Sequence, residues 1–549
     1  MTPSGALGWE RVQPRLGWLA LLVFALLAFL PAFATLPVTD RDEARFVQAS
    51  RQMVQSGDLV DVRFQDEARH KKPVGIYWLQ SAAVAVSGQG DAAALWVYRL
   101  PSLAGAVLAV LLVAVVGAPA FGLVPALAAA SVFAAGLVIG GEARIAKTDA
   151  ALLACILVAQ AALMRLWLHG ALHRGWAFGF WIAMAAAVLI KGPIGPMVPA
   201  LTAGALCMWD RRTGWLRPLL APWPMILALV VTLPWFIAIT LRSDGTFWQA
   251  SVGDDLLVKL ASGQEGKGAP PGTYLVMLLF GFWPATALLI LSAPAIWAAR
   301  GEQATRFLIA WAVPVWLVYE AVPTKLFHYT LPVYPALALL AVGHLPEALR
   351  NASPWLRAAA AAALLPGLAL GGGVIYAAAT TQGGAAALWF ASAGLAAATI
   401  AVVVALRMLD LKAAMPLVLA CAASGGLLHA TLFPALARMP VLWPSESAYA
   451  MAESVALSQG CTRPTITAWG HTEPSLVWKA GRDTRLFPAE APVAEVIRPG
   501  RCEVVLRRQT AKDALPAPGG CRIVGSVNGF AIGAGRSVTL QVLDCRGAP

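Results

Sequence analysis

Carboxylates and cations are interleaved in one short stretch of this chain. Asp40-Arg41-Asp42-Glu43-Ala44-Arg45 opens it and Arg69-His70-Lys71-Lys72-Pro73 closes it. A carboxylate in such a setting accepts a proton from an attacking hydroxyl or orients it. Clustered ammonium and guanidinium groups meet the negative charge that grows on a departing phosphate. Together these residue types suit the cleavage of a bond to a phosphate. Asp42, Glu43 and Asp149 are the candidate carboxylates; Arg45, Lys71, Lys72, Lys191, Lys267, Lys325 and Tyr329 are the candidate phosphate ligands. Each has a plainer alternative. Asp149 suits a helix N-cap, single lysines near an interface snorkel, and Tyr329 suits an interfacial aromatic belt. His328, Asp66 and Glu67 read more simply as polar or solvated positions.

The elements that must hold these groups are membrane helices. Of 549 residues, 59% are hydrophobic and only 13% charged, against about 25% charged in soluble domains; mean hydropathy is +0.68. The stretch from Leu16 to Thr39 carries no charge and is long enough to cross a bilayer. Arg11 and Arg15 before it, and Ala32-Phe33-Ala34 within it, resemble a cleavable signal, but the run outlasts a usual signal core. Apolar runs near 16–38, 93–117, 119–140, 149–168, 176–190, 194–209, 218–241, 272–298, 306–320, 331–345, 356–379, 385–406 and 413–434 predict about 13 transmembrane helices. The net charge of +12 sets topology and needs no nucleic acid. Arginines 211, 212, 217, 300, 306, 350, 357 and 407 fall in alternate short loops, which the positive-inside rule assigns to the cytoplasm. The 39–92 segment, the 141–148 and 242–271 loops, the 321–330 turn and the C-terminal region then face outward, as does a set of cations including Arg144, Lys147, Arg242 and Lys259.

Within the first loop, Asp42 to Ser56 has helical spacing, with Phe46, Val47, Ser50, Met53 and Val54 on one face and Gly57 as a stop. The pattern predicts an amphipathic helix on the outer membrane surface. Pro73 predicts the start of a second helix, which puts Lys71 and Lys72 at an N-terminus suited to anions. From about 436 polarity rises. A helix over 445–458 and strands at 465–469, 502–506 and 538–543 predict a small α/β domain over 436–549, after a membrane domain over 1–435. Cys461, Cys502, Cys521 and Cys545 all lie in that domain, which suggests two disulfides in an oxidising compartment. Three pairings are open; adjacent strand starts favour Cys461–Cys502 and Cys521–Cys545.

Asp-Glu-Ala-Arg-Phe (42–46), Ser-Gly-Asp (56–58) and Lys-Lys-Pro-Val-Gly-Ile-Tyr-Trp (71–78) resemble the membrane glycosyltransferases of the GT-C type. The aminoarabinose transferases of lipid A and the protein-mannosyltransferase-like families are the members meant. Thr148-Asp149, Lys191-Gly192, Phe247-Trp248 and Pro323-Thr324-Lys325-Leu326-Phe327-His328-Tyr329 extend the match. The resemblance runs from about 16 to 345 and more loosely into the C-terminal domain. It implies a multi-pass protein of the bacterial inner membrane, working as a monomer on the periplasmic face. The sugar would pass from an undecaprenyl or other polyprenyl phosphate to a lipid acceptor such as lipid A. The essential first-loop aspartate of that type matches Asp42, the lysine before the proline matches Lys72, and the turn residues match Lys325 and Tyr329. One position departs: aminoarabinose transferases carry Glu-Lys-Pro where this chain has Lys71-Lys72-Pro73. The carboxylate that helps bind a divalent metal there is gone, so neither a metal nor aminoarabinose follows from the resemblance. A protein O-mannosyltransferase, or a transferase of another sugar such as galacturonic acid, is the alternative within the class. A transporter or flippase of lipid-linked sugars is the alternative outside it; that reading calls for inverted repeats, and the sequence shows none.

Overall fold

Glycine and alanine recur through the apolar runs, and the helices they form meet at backbone contact. A Cβ on Gly105 would stand 2.7 Å from the Ala151 backbone. The helices Leu95–Phe121 and Asp149–His169 therefore touch along their main chains, as small residues allow between membrane helices. Gly75 does the same for the first loop. A Cβ there would lie 2.7 Å from the carbonyl carbon of Leu189, so the helix Gly75–Ser87 is seated against the end of the helix Arg174–Lys191.

The structure is a computed structural model that describes residues 13–170, 173–261, 268–381, 383–497, 502–509, 517–518 and 520–545. Among these, seven helices are individually long and apolar enough to cross a bilayer, the first Leu95–Phe121 and the last Ala414–Ala437. The pair Thr273–Gly281 and Ala285–Ala298, bent by 119°, makes up to eight, and three shorter apolar helices, Pro14–Phe29, Leu123–Ala134 and Leu331–Gly343, complete the set. The protein is a multi-pass membrane protein. Two of the 13 apolar runs are broken. The run 272–298 bends into two helices, and 119–140 divides into Leu123–Ala134 and Leu137–Glu142. Apolar composition cannot register such a break, because both halves stay apolar.

The first-loop helix is Asp42–Ser56, closed by Gly57 at φ 70°, and its apolar face packs on protein. Glu43, Ala44, Phe46, Val47, Ser50 and Met53 are all buried. One side of the helix packs on Gly75–Ser87 and another meets the helix Pro474–Ala480. Ser50 donates to Gln80 Oε1 at 2.6 Å across the first contact, and Arg51 donates to the Trp478 carbonyl at 2.9 Å across the second. The second first-loop helix starts at Gly75, not Pro73. Lys71 and Lys72 therefore sit in the turn before it.

The C-terminal region carries a five-stranded mixed sheet in the order Arg485–Phe487, Thr465–Trp469, Glu503–Gln509, Arg536–Asp544, Arg522–Ala531. The first three strands are parallel, and the last two join antiparallel. Alternate residues such as Ile466, Val504, Leu506, Leu540 and Val542 meet Ala448, Ala452 and Leu476 in a separate core. The structure joins Cys461 to Cys502 and Cys521 to Cys545.

Candidate active site

Two cavities meet beneath the first loop. One is polar, about 90 Å³ in volume, and is reached by Asp42 and Arg45 from the first-loop helix, by Lys71 and Lys72 from the following turn, and by Asp149 and Lys191 from two membrane helices. The other is largely apolar, about 270 Å³, and runs between Leu152, Ile194, Met197, Val318, Val322 and Pro332. Asp149, Lys191, Lys259, His328 and Tyr329 line both. The seam between them is therefore charged on one side and greasy on the other.

Helix packing creates this meeting. Gly75 seats the Lys72 turn against the Leu189 end of the helix that finishes at Lys191, and Gly105 lets the helix beginning at Asp149 close in. Lys191 Nζ lies 2.5 Å from Asp149 Oδ1. Lys147 Nζ is 3.6 Å from Asp149 Oδ2 and 3.4 Å from Glu142 Oε1. Burial alone would discharge Lys147, but Glu142, Asp149 and Asp42 outweigh it and hold the amine protonated. His328 stands between the two carboxylates, with Nδ1 3.7 Å from Glu142 and Nε2 3.8 Å from Asp149. Burial keeps its imidazole neutral, with the pKa pushed down to about 3.

A second bridge crosses the other wall. Asp255 sits in a π-helical turn, Gln249–Leu257, a wide turn frequent at functional sites. Its two oxygens take Lys72 Nζ at 2.6 Å and Lys259 Nζ at 2.7 Å. Burial opposes its ionisation, yet the two ammonium groups hold its carboxyl below the usual carboxylate range. Lys72 in turn is pushed down to about 8, because burial outweighs the help from Asp255.

Of the predicted residues, Asp42, Arg45, Lys71, Lys72, Asp149, Lys191 and Tyr329 line the polar cavity. Lys267 lies outside the described residues. Two assignments are corrected. Glu43 is fully buried and turned away: it takes Arg99 Nε at 2.7 Å and Nη2 at 3.1 Å, the Thr39 amide at 2.8 Å and the Ala146 amide at 2.9 Å. Its oxygens are spent on tying the first loop to the bundle. Lys325 donates to the carbonyls of Tyr319, Glu320 and Val322 at 2.6–3.0 Å. It caps the end of the helix Gln303–Ala321, while its neighbours Thr324 and Leu326 reach the cavity. Arg144 likewise serves backbone carbonyls, of Pro31, Gly140 and Ala28. Asp66 pairs with Arg482 at the exposed rim, and Glu67 is exposed.

Residues that sequence reasoning did not single out are Asp255, Arg69 and Glu142. Asp255 and Lys259, four apart in an outer loop, carried a faint signal of helical pairing. Nothing in the chain said which lysine would complete that bridge. Among the described residues, no cluster of three or more His, Cys, Asp or Glu is arranged to hold a metal ion. The cavity carboxylates Asp149 and Asp255 are each bridged by two lysines, and Lys71 adds a further cation. This donor set does not fit a divalent metal.

Residues 71–238 match the family model described as dolichyl-phosphate-mannose-protein mannosyltransferase. The chain is 26% identical over 359 residues to an undecaprenyl phosphate-alpha-4-amino-4-deoxy-L-arabinose arabinosyl transferase of Edwardsiella ictaluri, covering 64% of this chain and 63% of that one. It is 29% identical over 336 residues to the like-named transferase of an Enterobacter species, covering 59% and 58%. The match thus spans less than two thirds of these relatives' length. The crystal structure of ArnT from Cupriavidus metallidurans bound to undecaprenyl phosphate superposes over 97% of this chain and 99% of that one, with a TM-score of 0.73 and 18% identity. The apo form of the same protein gives 0.69 over 96% and 98%, also at 18% identity. The chain therefore takes the fold of the GT-C membrane glycosyltransferases, the type its first-loop motifs resemble.

Proposed function

We propose that this protein transfers a sugar from a polyprenyl phosphate, such as undecaprenyl phosphate, to a lipid acceptor such as lipid A. The reaction would take place on the periplasmic face of a bacterial inner membrane. One observation carries the reading: a cation-rich polar cavity shares Asp149, Lys191, Lys259, His328 and Tyr329 with an apolar one beside it. A substrate with a long hydrocarbon tail joined to a phosphate matches that seam in both parts. The names of the relatives and the undecaprenyl phosphate of the superposed structure agree with it.

In the reaction the acceptor oxygen bonds to the anomeric carbon, and the carbon–oxygen bond to phosphate breaks with its electron pair passing to phosphate. The growing charge on phosphate meets Lys191 and Lys259 at the seam, with Lys72 on the adjoining wall. Fixed cations in a site sheltered from water stabilise such charge far better than bulk solvent does. Asp42 accepts the proton of an acceptor hydroxyl, or orients an acceptor that is already ionised. Asp149 holds Lys191 and Lys147 in place.

The test is transfer from undecaprenyl phosphate-linked sugar by purified Asp42→Asn. Transfer is expected to fall at least about a hundredfold, the low end for a lost general base, with the melting temperature unchanged. Near-normal turnover in that variant removes Asp42 from the chemistry.

A further inference from the structure

The polar cavity holds more positive charge than a donor phosphate uses. Seven Lys or Arg side chains and three Asp line it; with Glu142 set against Lys147 and His328 neutral, a surplus of at least three positive charges remains. A phosphodiester donor brings one negative charge, and the released phosphate monoester about two at most. At least one positive charge is left over.

That remainder is placed apart from the lipid seam. Lys191 and Lys259 border both cavities, whereas Arg45, Arg69 and Lys71 border the polar one alone. Arg69 is fixed there: its Nε donates to Tyr77 Oη at 3.2 Å and its guanidinium lies 5.2 Å from the Phe46 ring centroid. Among the described residues, its terminal nitrogens make no hydrogen bond, and Lys71 makes neither hydrogen bond nor ion pair. A guanidinium held by its Nε presents the other edge as a fork for a carboxylate or phosphate. The lysine beside it supplies a mobile ammonium.

Resting on the transferase reading above, we infer that Arg69 and Lys71 form a second anion subsite. It takes a negatively charged group other than the donor phosphate: a carboxylate on the transferred sugar or a phosphate on the acceptor lipid. A cationic amino sugar is disfavoured by the same charges.

The test uses the purified full-length protein in lipid nanodiscs and two matched pairs of probes. One pair is undecaprenyl phosphoglucuronate against undecaprenyl phosphoglucose; the other is a diglucosamine lipid with and without its phosphates. The wild type is expected to bind the acidic member of one pair at least about tenfold more tightly, the worth of one charged hydrogen bond. Arg69→Gln/Lys71→Gln should bring that ratio to within about twofold. A preference in the first pair places the anion on the sugar, and one in the second places it on the acceptor. Ratios near one in both pairs overturn the subsite, as does a preference that survives the double variant. Lys71→Gln alone, at an exposed position, gives the same readout should the double variant fold poorly; it should lower the ratio at least about threefold, and an unchanged ratio there also counts against the subsite. Binding of undecaprenyl phosphate itself separates the two ideas. Wild-type protein that does not bind it removes the transferase reading, whereas intact binding with flat ratios removes only the second subsite.

Discussion

Glu43→Gln separates a structural role from a catalytic one at a residue whose position in the sequence suggested chemistry. The side chain is fully buried, as is Arg99. One carboxylate oxygen accepts from Arg99 Nε and the Ala146 amide, the other from the Thr39 amide, the Thr39 hydroxyl and Arg99 Nη2. A glutamine can keep the first set. Its NH2 must then face the Thr39 amide and Arg99 Nη2, both of which are donors. Arg99 would retain three carbonyl partners, on Phe33, Leu36 and Pro37, but no counter-charge. Breaking a buried pair in this way costs about 3–5 kcal/mol, and that is a large part of a typical stability of about 5–15 kcal/mol. The assay is thermal unfolding of the detergent-purified protein, followed by tryptophan fluorescence, together with the yield of folded material. The variant should melt several degrees lower, and the fraction that remains folded should still bind undecaprenyl phosphate. A variant that melts like the wild type but has lost sugar transfer refutes the structural account and returns Glu43 to the chemistry.

Other outcomes follow from single contacts. Lys72, with its pKa pushed down to about 8 by burial, loses its charge as pH rises through that value. Affinity for undecaprenyl phosphate should therefore drop between pH 7 and 9.5, and Lys72→Gln should flatten the step; a pH-independent wild type rules this out. Asp40 is raised to about 6 by burial, with Glu473 adding to the effect. A carboxyl raised in the folded state strains the fold fully above about pH 6, and the strain is relieved as pH falls toward its ordinary value. Asp40→Asn should thus melt higher than the wild type at pH 8, with the gap narrowing by pH 5 and closing only toward the ordinary carboxyl value, since the amide oxygen can still take the Ser475 amide that lies 3.2 Å from Asp40 Oδ1. A gap that widens on acidification contradicts the assignment. Gly75→Ala drives a methyl into the Leu189 backbone, 2.7 Å away. It should cost about 1–3 kcal/mol and weaken phosphate binding by separating Lys72 from Lys191; normal melting and binding together would show that the contact does not set the site.

The membrane class, the Asp42–Ser56 helix with its glycine stop and most of the charged residues of the cavity are legible in the chain, because each leaves a local mark. An uncharged run from Leu16 to Thr39 admits one environment, and helical spacing is written in consecutive residues. The resemblance of the 42–46 and 71–78 blocks supplied the GT-C fold, which periodicity alone does not specify. Which charges do what depends on the packing of the helices. Glu43 and Asp42 are chain neighbours of the same chemical type. Successive helix positions point about a hundred degrees apart, and packing sent one into the bundle to hold Arg99 and the other to the cavity. Lys325 and Lys191 looked alike in the same way. The first meets the carbonyls that end a helix, and the second faces a carboxylate carried by another helix. Asp255 could not be linked to Lys72 from the chain at all, since 183 residues separate them. Such pairings depend on how closely helices approach, and that distance was set by glycines whose importance is visible only once their neighbours are in place.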